Sequence, residues 1–528
     1  MREERRLVRS AGAMTFMTLM SRVLGYVRDN LQAQFLGASR SADAFIIAFR
    51  IPNLLRRLVG EGAFTAAFIP TMSDYLKPER RKELWQFAAI VFWTMATVLM
   101  VLTALGVIFS PQIVKAMAWG FAGIQDKMDL TVGLNRLMFP YLLVICLAAL
   151  LQGILNIHGS FAVPAFTPVL LNLSMIGAAL LLAPHLEEPA WAFAWGVLLG
   201  GVLQMGFQIP FVIRLGMRFV PSISFTDSGV RQIGRLMLPG LFGMGITQIM
   251  LLVDSFYASF LAEGSVSALY YSGRVNELAL GSFAISVSTV ILPMLSRQAA
   301  AGEIEEMGRT LLYGMRMVAL ITIPASVGLI LLRGPIIGVL FEHGRFSPED
   351  TAVTAHALMF YALGLLPFGA VKILAPAFYA RKDTRTPALL AAVTLGAHLI
   401  LCPVLTWLMA HGGIALADSI SATLNMSLLM GAFAKRHGLP GSVMLRQLVS
   451  PALRCVGAAI IMGGSVLALR LWLEPVIGGA LLPAAGALIG IITVASVVYL
   501  GSCRLLKVAE LDDLLAVLPL RRRREPEA

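Results

Sequence analysis

The sequence predicts an all-α polytopic membrane protein with fourteen transmembrane helices, arranged as two six-helix lobes followed by two C-terminal helices. Of its 528 residues, 58% are hydrophobic and only 14% are charged, and the mean hydropathy is +0.79. A soluble domain has about a quarter of its residues charged. Apolar blocks such as Phe87–Phe109 and Leu481–Leu500 reach the ~20 residues that cross about 30 Å of hydrocarbon as a helix. These blocks lack the alternation of apolar and polar residues that a membrane β-barrel requires.

Fourteen apolar segments are long enough to span the membrane as helices. The first is not a cleavable signal peptide, because its apolar stretch runs into Arg22 and Arg28 and no small-residue cleavage site follows. The predicted helices lie near residues 11–37, 41–75, 84–110, 130–157, 162–183, 190–214, 228–262, 265–298, 306–333, 350–380, 384–410, 412–434, 447–472 and 478–505.

The distribution of Lys and Arg outside these segments predicts the orientation of the chain. With both termini in the cytoplasm, the cytoplasmic segments carry 27 basic residues and the outer segments carry 7. Membrane proteins are enriched in positive residues on the cytoplasmic side. The formal net charge of +12 therefore reflects topology and does not indicate a nucleic-acid partner. Residues 507–528 are predicted to form a basic cytoplasmic tail, in which Arg521–Arg524 contacts anionic membrane lipids.

An internal repeat predicts the division into lobes. The stretch Ala44–Arg50 has a weak echo 224 residues later, in Ala268–Arg274. Two copies of six helices then fall near 1–217 and 218–436, and two further helices occupy 437–506. An even number of helices gives both copies the same orientation, as in transporters whose two lobes move about a central site.

Arginine residues lie inside several predicted membrane helices, where each costs at least ~2.5 to 3.5 kcal/mol. At 1.5 Å per residue, Arg22 and Arg56 reach similar depths from opposite membrane faces, and Arg28 lies about 9 Å from Arg22. Planar guanidinium groups match phosphate oxygens in pairs. An excess of them over nearby acids predicts a polar cavity for a phosphorylated or pyrophosphorylated ligand. The predicted substrate-binding residues are Arg22, Arg28, Arg56 and Arg274.

Three acids are predicted to hold arginines in place within these helices. Residues four or seven apart lie on the same helical face and can interact. For Arg50 and Arg57, pairing with an acid is the favoured role, in preference to ligand binding. The predicted pairs are Asp29 with Arg22, Asp43 with Arg50, and Glu61 with Arg57.

No pattern typical of enzyme chemistry occurs in the sequence. The four cysteines, Cys146, Cys402, Cys455 and Cys503, occur singly, which predicts neither a disulfide nor a cysteine metal site. There is no HExxH motif, no P-loop and no pair of carboxylates typical of a lipid-phosphate transferase. A non-transporting scaffold would leave the arginines unexplained, and an exporter of cationic drugs should have an acidic cavity. A transporter of an anionic substrate is therefore favoured.

Six stretches of the chain carry a resemblance to a known family. They are Ser21–Asp29, Asp43–Phe45, Pro52–Arg57, Glu61–Phe64, Ser265–Arg274 and Leu374–Arg381. With these stretches the sequence resembles the MurJ (MviN) family of lipid II flippases, within the multidrug/oligosaccharidyl-lipid/polysaccharide (MOP) exporter superfamily. The resemblance extends over essentially the whole chain, and the pattern formed by the first four stretches is specific.

The resemblance implies a lipid flippase that works by alternating access. Its substrate would be lipid II, the undecaprenyl-pyrophosphate-linked precursor of peptidoglycan, moved from the inner to the outer leaflet of the bacterial cytoplasmic membrane. Cell wall synthesis and cell shape would depend on it. The alternative is a related flippase or exporter of the same superfamily that carries another polyprenyl-linked oligosaccharide.

The resemblance also implies roles for particular segments. The four arginines would contact the substrate, with the three acids as functional neighbours, and the helices of 437–506 would form a groove for the prenyl tail. Implied partners are lipid II, membrane lipids and the cell wall synthesis machinery.

Some members of the family bind sodium with residues of helices 7, 11 and 12. Here Asp254 and Asp418 lie at plausible positions for a sodium or proton site, and no other cofactor is expected. Helix 11 offers His398 and Cys402, where oxygen ligands would be expected for sodium. A pair of hydrogen-bonded acids without a metal is the alternative.

Overall fold

The apolar stretches of the chain form helices. A computed structural model describes residues 2–58, 60, 64–76, 80–437 and 441–517, and every regular element in those ranges is a helix. This confirms the predicted all-α membrane fold. Within the described ranges, nine helices are long and apolar enough to cross a membrane, or ten if one bent pair forms a single span. The total of fourteen stays a prediction.

Two compact units make up the chain. The first comprises Met1–Ser267 and Phe341–Asp350, and the second comprises Ala268–Leu340 and Thr351–Ala528. The division into six-helix lobes near 1–217 and 218–436 stays a prediction. The helices of the first unit are α1 (Arg2–Leu36), α2 (Arg40–Arg56), α3 (Phe64–Ser73), α4 (Arg81–Ile108), α5 (Ser110–Met117), α6 (Gln125–Met138), α7 (Tyr141–Ile157), α8 (Ala162–Leu181), α9 (Ala190–Leu215) and α10 (Ser228–Ala258).

The remaining helices belong mainly to the second unit, although α11 and α13 begin in the first unit and α12 ends there. They are α11 (Ser265–Ala301), α12 (Ile304–Phe341), α13 (Pro348–Leu363), α14 (Leu365–Ala380), α15 (Arg385–His437), α16 (Gly441–Trp472), α17 (Glu474–Ile477), α18 (Leu481–Leu505) and α19 (Glu510–Val517). The bent pair is α13 and α14, with 45° between them. In α15, Ala410 is non-helical, with φ 50° and ψ −133°, close to the predicted junction of two helices. A Cβ at Gly413 would lie 2.0 Å from the Leu405 carbonyl oxygen, so glycine is needed at this break.

Glycines allow α8 and α9 to pack closely in the first unit. A Cβ at Gly200 would lie 2.6 Å from the Leu171 Cδ1 atom, and one at Gly196 would lie 2.9 Å from the Met175 Cα atom. Helices in a membrane associate by close packing at small residues, because the surrounding lipid removes the hydrophobic driving force. The contact fixes α8, which carries a polar residue, Asn172, that contributes to the site described below.

The C-terminal helix α19 packs against α12 in the second unit. Leu511 is buried in an apolar cluster with residues of α12, α16 and α18. Glu510 is 5% exposed, and its Oε1 atom lies 2.6 Å from the Nε atom of Arg316 in an ion pair. The beginning of the predicted tail, 507–528, thus contains a packed helix with an acidic first turn. The predicted lipid contact, Arg521–Arg524, lies outside the described residues.

The ion pair predicts that α19 depends on Arg316. Replacing Arg316 by Met should lower the Tm of the purified protein, because the buried Glu510 carboxylate loses its counter-charge, a change that costs up to about 3 to 5 kcal/mol in buried pairs. Arg309→Met is the matched control, since the Arg309 side chain is 69% exposed and its removal should leave the Tm unchanged. A wild-type Tm for Arg316→Met would show that the pair does not stabilise the fold.

Candidate functional site: buried basic networks

The Arg28 side chain lies in a buried polar network between α1 and α8. Its Nε and Nη2 atoms donate to Asp29 Oδ1 at 3.1 and 2.7 Å, and its Nη1 atom donates to Asn172 Oδ1 at 3.0 Å. Asn172 Nδ2 donates to the Ser21 carbonyl oxygen at 2.9 Å. Arg28 is 9% exposed and Asp29 is 4% exposed. Because a planar guanidinium satisfies several acceptors at once, these contacts hold Arg28 in one orientation.

The other three predicted arginines lie in different surroundings. Arg22 is exposed on α1. Arg56, at the end of α2, is half-buried and donates from Nε to Asn53 Oδ1 at 3.0 Å. Arg274 belongs to the second unit, where its Nη1 atom lies 2.8 Å from Glu277 Oε2. The first unit therefore contains three of the four arginines.

Asp43 on α2 is the centre of a second buried network. Its Oδ2 atom accepts from Lys127 Nζ at 2.7 Å and from the Gly264 N–H at 3.0 Å. Its Oδ1 atom accepts from the Ser267 N–H at 2.9 Å and from the Ser267 hydroxyl at 2.7 Å. Asp43 is 1% exposed and Lys127 is 3% exposed. The four donors compensate the carboxylate for the loss of water, and Lys127 balances its charge.

This carboxylate caps the start of α11, the helix that carries Arg274. The first N–H groups of a helix have no partner within it, and the helix dipole favours an anion there. Here the cap comes from Asp43, 224 residues before the Ser267 N–H that it accepts. Gly264 permits the approach, since its φ is +87° and a Cβ there would lie 2.4 Å from the Ala38 carbonyl oxygen.

Contacts between α6 and α2 bring Lys127 to Asp43. Asn135 on α6 donates to the carbonyl oxygen of Ala48 at 3.1 Å. The Lys127 Nζ atom also lies 4.1 Å from the centroid of the Phe121 ring, a cation–π contact. A buried ammonium is thus held by one carboxylate and one aromatic face.

Asp29 has a different partner from the predicted one. The seven-residue spacing predicted Arg22, but Asp29 binds its neighbour Arg28. Burial accounts for this pairing, because the buried Arg28 needs a counter-charge close by, whereas Arg22 is exposed. The third predicted acid, Glu61, lies outside the described residues, and its predicted partner Arg57 is exposed.

Asp43 also has a different partner from the predicted one. The spacing predicted Arg50, whereas the structure pairs Asp43 with Lys127. Arg50 donates to the hydroxyl of Ser255 on α10. Lys127 falls between the helices predicted near 84–110 and 130–157, and the structure buries its side chain beside Asp43.

The family of the chain follows from comparison with known proteins. The family model described as "Lipid II flippase MurJ" matches residues 32–482. The chain belongs to the MurJ family. A protein of Vibrio cholerae serotype O1 named "Probable lipid II flippase MurJ" is 42% identical over 432 residues, which cover 80% of this chain and 82% of that protein. A protein of Burkholderia cenocepacia named "Lipid II flippase MurJ" is 35% identical over 466 residues, which cover 87% and 89%.

Solved structures agree with membership of the MurJ family. One described as "Lipid II flippase MurJ, inward closed conformation" is 27% identical, with a TM-score of 0.77, and covers 95% of this chain and 99% of that one. An inward-facing multidrug resistance MATE family transporter of the MOP superfamily has a TM-score of 0.65 at 14% identity, covering 83% and 99%. That second likeness concerns the fold alone. The predicted resemblance to the MurJ family is confirmed.

Sequence patterns missed three polar partners in this MurJ-family chain. Asn172 and Lys127 are 144 and 84 residues from the side chains that they contact, so no local spacing indicates them. Glu277 follows Arg274 by three residues, and the rule that such residues are neighbours on a helix would have found it.

The residues of the predicted sodium or proton site lie on α10 and α15. In the second unit, the fully buried His398 has its Nδ1 atom 3.1 Å from Ser421 Oγ and 3.9 Å from Asp418 Oδ1. Cys402 is also fully buried. Asp254, on α10 of the first unit, is 7% exposed. Hard cations bind oxygen ligands, so the nitrogen and sulfur atoms on α15 do not fit sodium. The coupling ion, sodium or proton, stays a prediction.

The Asp43 network predicts which of two variants, Asp43→Ala or Lys127→Met, is less stable. Asp43→Ala leaves the Lys127 ammonium buried without its carboxylate, a change that costs about 3 to 5 kcal/mol in other proteins. Lys127→Met should cost less, because three donors to the carboxylate remain. The Tm of the purified protein should therefore fall most for Asp43→Ala.

The matched control for this order is Asp126→Ala. Its side chain is 85% exposed, so the Tm should stay at the wild-type value. A lower Tm for Lys127→Met than for Asp43→Ala would contradict the claim that the Asp43 carboxylate stabilises this network more than Lys127 does.

Proposed function

We propose that this protein is a lipid II flippase. It moves the undecaprenyl-pyrophosphate-linked precursor of peptidoglycan from the inner to the outer leaflet of the bacterial cytoplasmic membrane, with no chemical change to the lipid. Membership of the MurJ family over residues 32–482 supports this function. The structural observation that carries the proposal is the buried guanidinium of Arg28, held in a membrane helix pair where a cation is otherwise costly.

The contacts of Arg28 suit a pyrophosphate. Asp29 and Asn172 fix the plane of the guanidinium before any substrate arrives. Phosphate oxygens match the same N–H groups in pairs, so they can exchange with the carboxylate and the amide. Arg22, about 9 Å away along the helix axis, is exposed and adds a second cation for an approaching head group. Arg56 and Arg274 complete the proposed set of substrate-binding arginines.

Alternating access carries the head group across while the prenyl tail stays in the bilayer. In this proposal the two predicted lobes open in turn to each side of the membrane. The Asp43 network supports a role in this cycle, because it joins α2 to the start of α11, the helix that carries Arg274. The long apolar helices α16 and α18 offer the prenyl tail an apolar surface.

The proposal includes an orientation and a class of partner. Both termini lie in the cytoplasm, which the excess of basic residues in the predicted cytoplasmic segments supports. Enzymes that build the cell wall must consume lipid II at the outer surface, so the cell wall synthesis machinery is the expected partner. Another polyprenyl-linked oligosaccharide would present the same pyrophosphate and would differ only in its head group.

Reconstitution into liposomes tests the proposal. The wild-type protein should move lipid II across the bilayer, measured as lipid II that becomes accessible to an impermeant enzyme added outside. Arg22→Ala should slow this movement about tenfold or more, as expected for the loss of one charged hydrogen bond. Because Arg22 is exposed, the variant should keep the wild-type Tm.

Arg309→Ala is the matched control, since it removes an exposed guanidinium outside the proposed site and should flip lipid II at the wild-type rate. Wild-type flipping by both Arg22→Ala and Arg28→Ala would contradict the site. A wild-type protein that moves another polyprenyl-linked oligosaccharide but not lipid II would contradict the substrate.

A further inference from the structure

We propose that a groove at the beginning of α16 binds an anionic glycerophospholipid of the bilayer, with its phosphate on two arginines and an acyl chain along the apolar wall. The groove has a volume of about 480 Å³ and is lined by Arg446, Leu453, Arg454, Gly457 and Leu506, among others. It lies in the second unit, where α16 begins and α18 ends. The substrate-binding arginines proposed above lie on other helices, so this site is separate from them.

The groove combines a basic stripe with an apolar one. Arg446, Ser450 and Arg454 are spaced by four residues, so they lie along one face of α16. Val449 and Leu453 lie beside them and are 43% and 63% exposed. At 1.5 Å per residue, Arg454 lies about 12 Å further along the helix than Arg446. The span in α16 begins at Arg446, so the two guanidinium groups extend from the end of the span towards its apolar part.

Arg454 is held at the groove by the end of α18. Its Nη1 atom donates to the carbonyl oxygen of Lys507 at 2.9 Å, where the backbone has a φ of 53°. This contact uses one of the five N–H groups of a guanidinium. Within the described part of the chain, neither Arg446 nor Arg454 forms an ion pair with an acid.

The charge around the groove favours an anion. Arg504 and Lys507 are exposed at the same end of α18, whereas Glu510 is buried and paired with Arg316. Two exposed acids follow on α19, Asp512 and Asp513, and the four basic residues at the groove and at the end of α18 outnumber them. Clusters of Lys and Arg at the end of a membrane helix attract anionic lipid head groups, and guanidinium groups match phosphate oxygens. A water-soluble phosphate would make no apolar contact with the exposed Leu453, whereas the acyl chain of a lipid would cover it.

The groove has room for the acyl chain because Gly457 has no side chain. A Cβ at Gly457 would lie 3.4 Å from the Leu506 Cδ1 atom, an ordinary contact. A Cβ can therefore be added at this position, and we expect the rest of a leucine side chain to occupy the groove. Gly457→Leu thus blocks the site sterically while both arginines remain.

Lipid binding to the purified full-length protein tests the proposal without any flipping step, so its outcome is independent of the proposed function. Native mass spectrometry would compare phosphatidylglycerol with phosphatidylcholine of the same acyl chains. The wild-type protein should bind one phosphatidylglycerol molecule at this groove, and should bind it more tightly than phosphatidylcholine. The double variant Arg446→Gln/Arg454→Gln and the single variant Gly457→Leu should each bind that lipid about tenfold more weakly, equivalent to one charged hydrogen bond or less.

The double variant Arg309→Gln/Arg385→Gln is the control, because it removes two exposed charges of the same unit and should bind phosphatidylglycerol normally. Single Arg446→Gln covers the case in which loss of the Lys507 contact unfolds the double variant. Equal binding of the two lipids by the wild type, or unchanged phosphatidylglycerol binding in the groove variants, would overturn the proposal. Tighter binding of undecaprenyl phosphate at the same arginines would also overturn it, by assigning the groove to the substrate.

Discussion

Charges buried among apolar helices must be compensated within the fold, and the contacts between helices follow from this constraint. An ion removed from water loses several kcal/mol of solvation even after the protein relaxes around it. Asp43 accordingly receives four donors, and Arg28 lies between a carboxylate and an amide. Each network joins helices that are distant in sequence, namely α2 with α6 and α11, and α1 with α8.

In the proposed function, the same constraint prepares Arg28 for an anionic substrate. Its desolvation and orientation are already supplied by the folded chain, so a pyrophosphate meets guanidinium donors that are oriented before it arrives. Preorganised groups bind more tightly than flexible ones because less order is imposed at the moment of binding. Arg22 is exposed on α1, so in that proposal it adds a second cation that the ligand can contact.

Much of the fold could be predicted from the sequence, because apolar length and the absence of charge decide which segments are membrane helices. The break in α15 was also predicted close to Ala410, where the structure has its one non-helical residue in that helix. The partners of the buried charges could not be predicted. Spacing along α1 and α2 pointed to Arg22 and Arg50, but the choice depends on Lys127 and on Asn172, which are brought in by tertiary packing. Local periodicity contains no information about contacts across 84 or 144 residues.

The structure of the protein with lipid II bound is the most direct measurement of whether Arg28 holds the pyrophosphate. We expect phosphate oxygens about 2.7 to 3.2 Å from its guanidinium nitrogens, the range of a hydrogen bond, with the Asp29 contact replaced. A pyrophosphate bound away from α1, with the contact between Arg28 and Asp29 unchanged, would contradict this role.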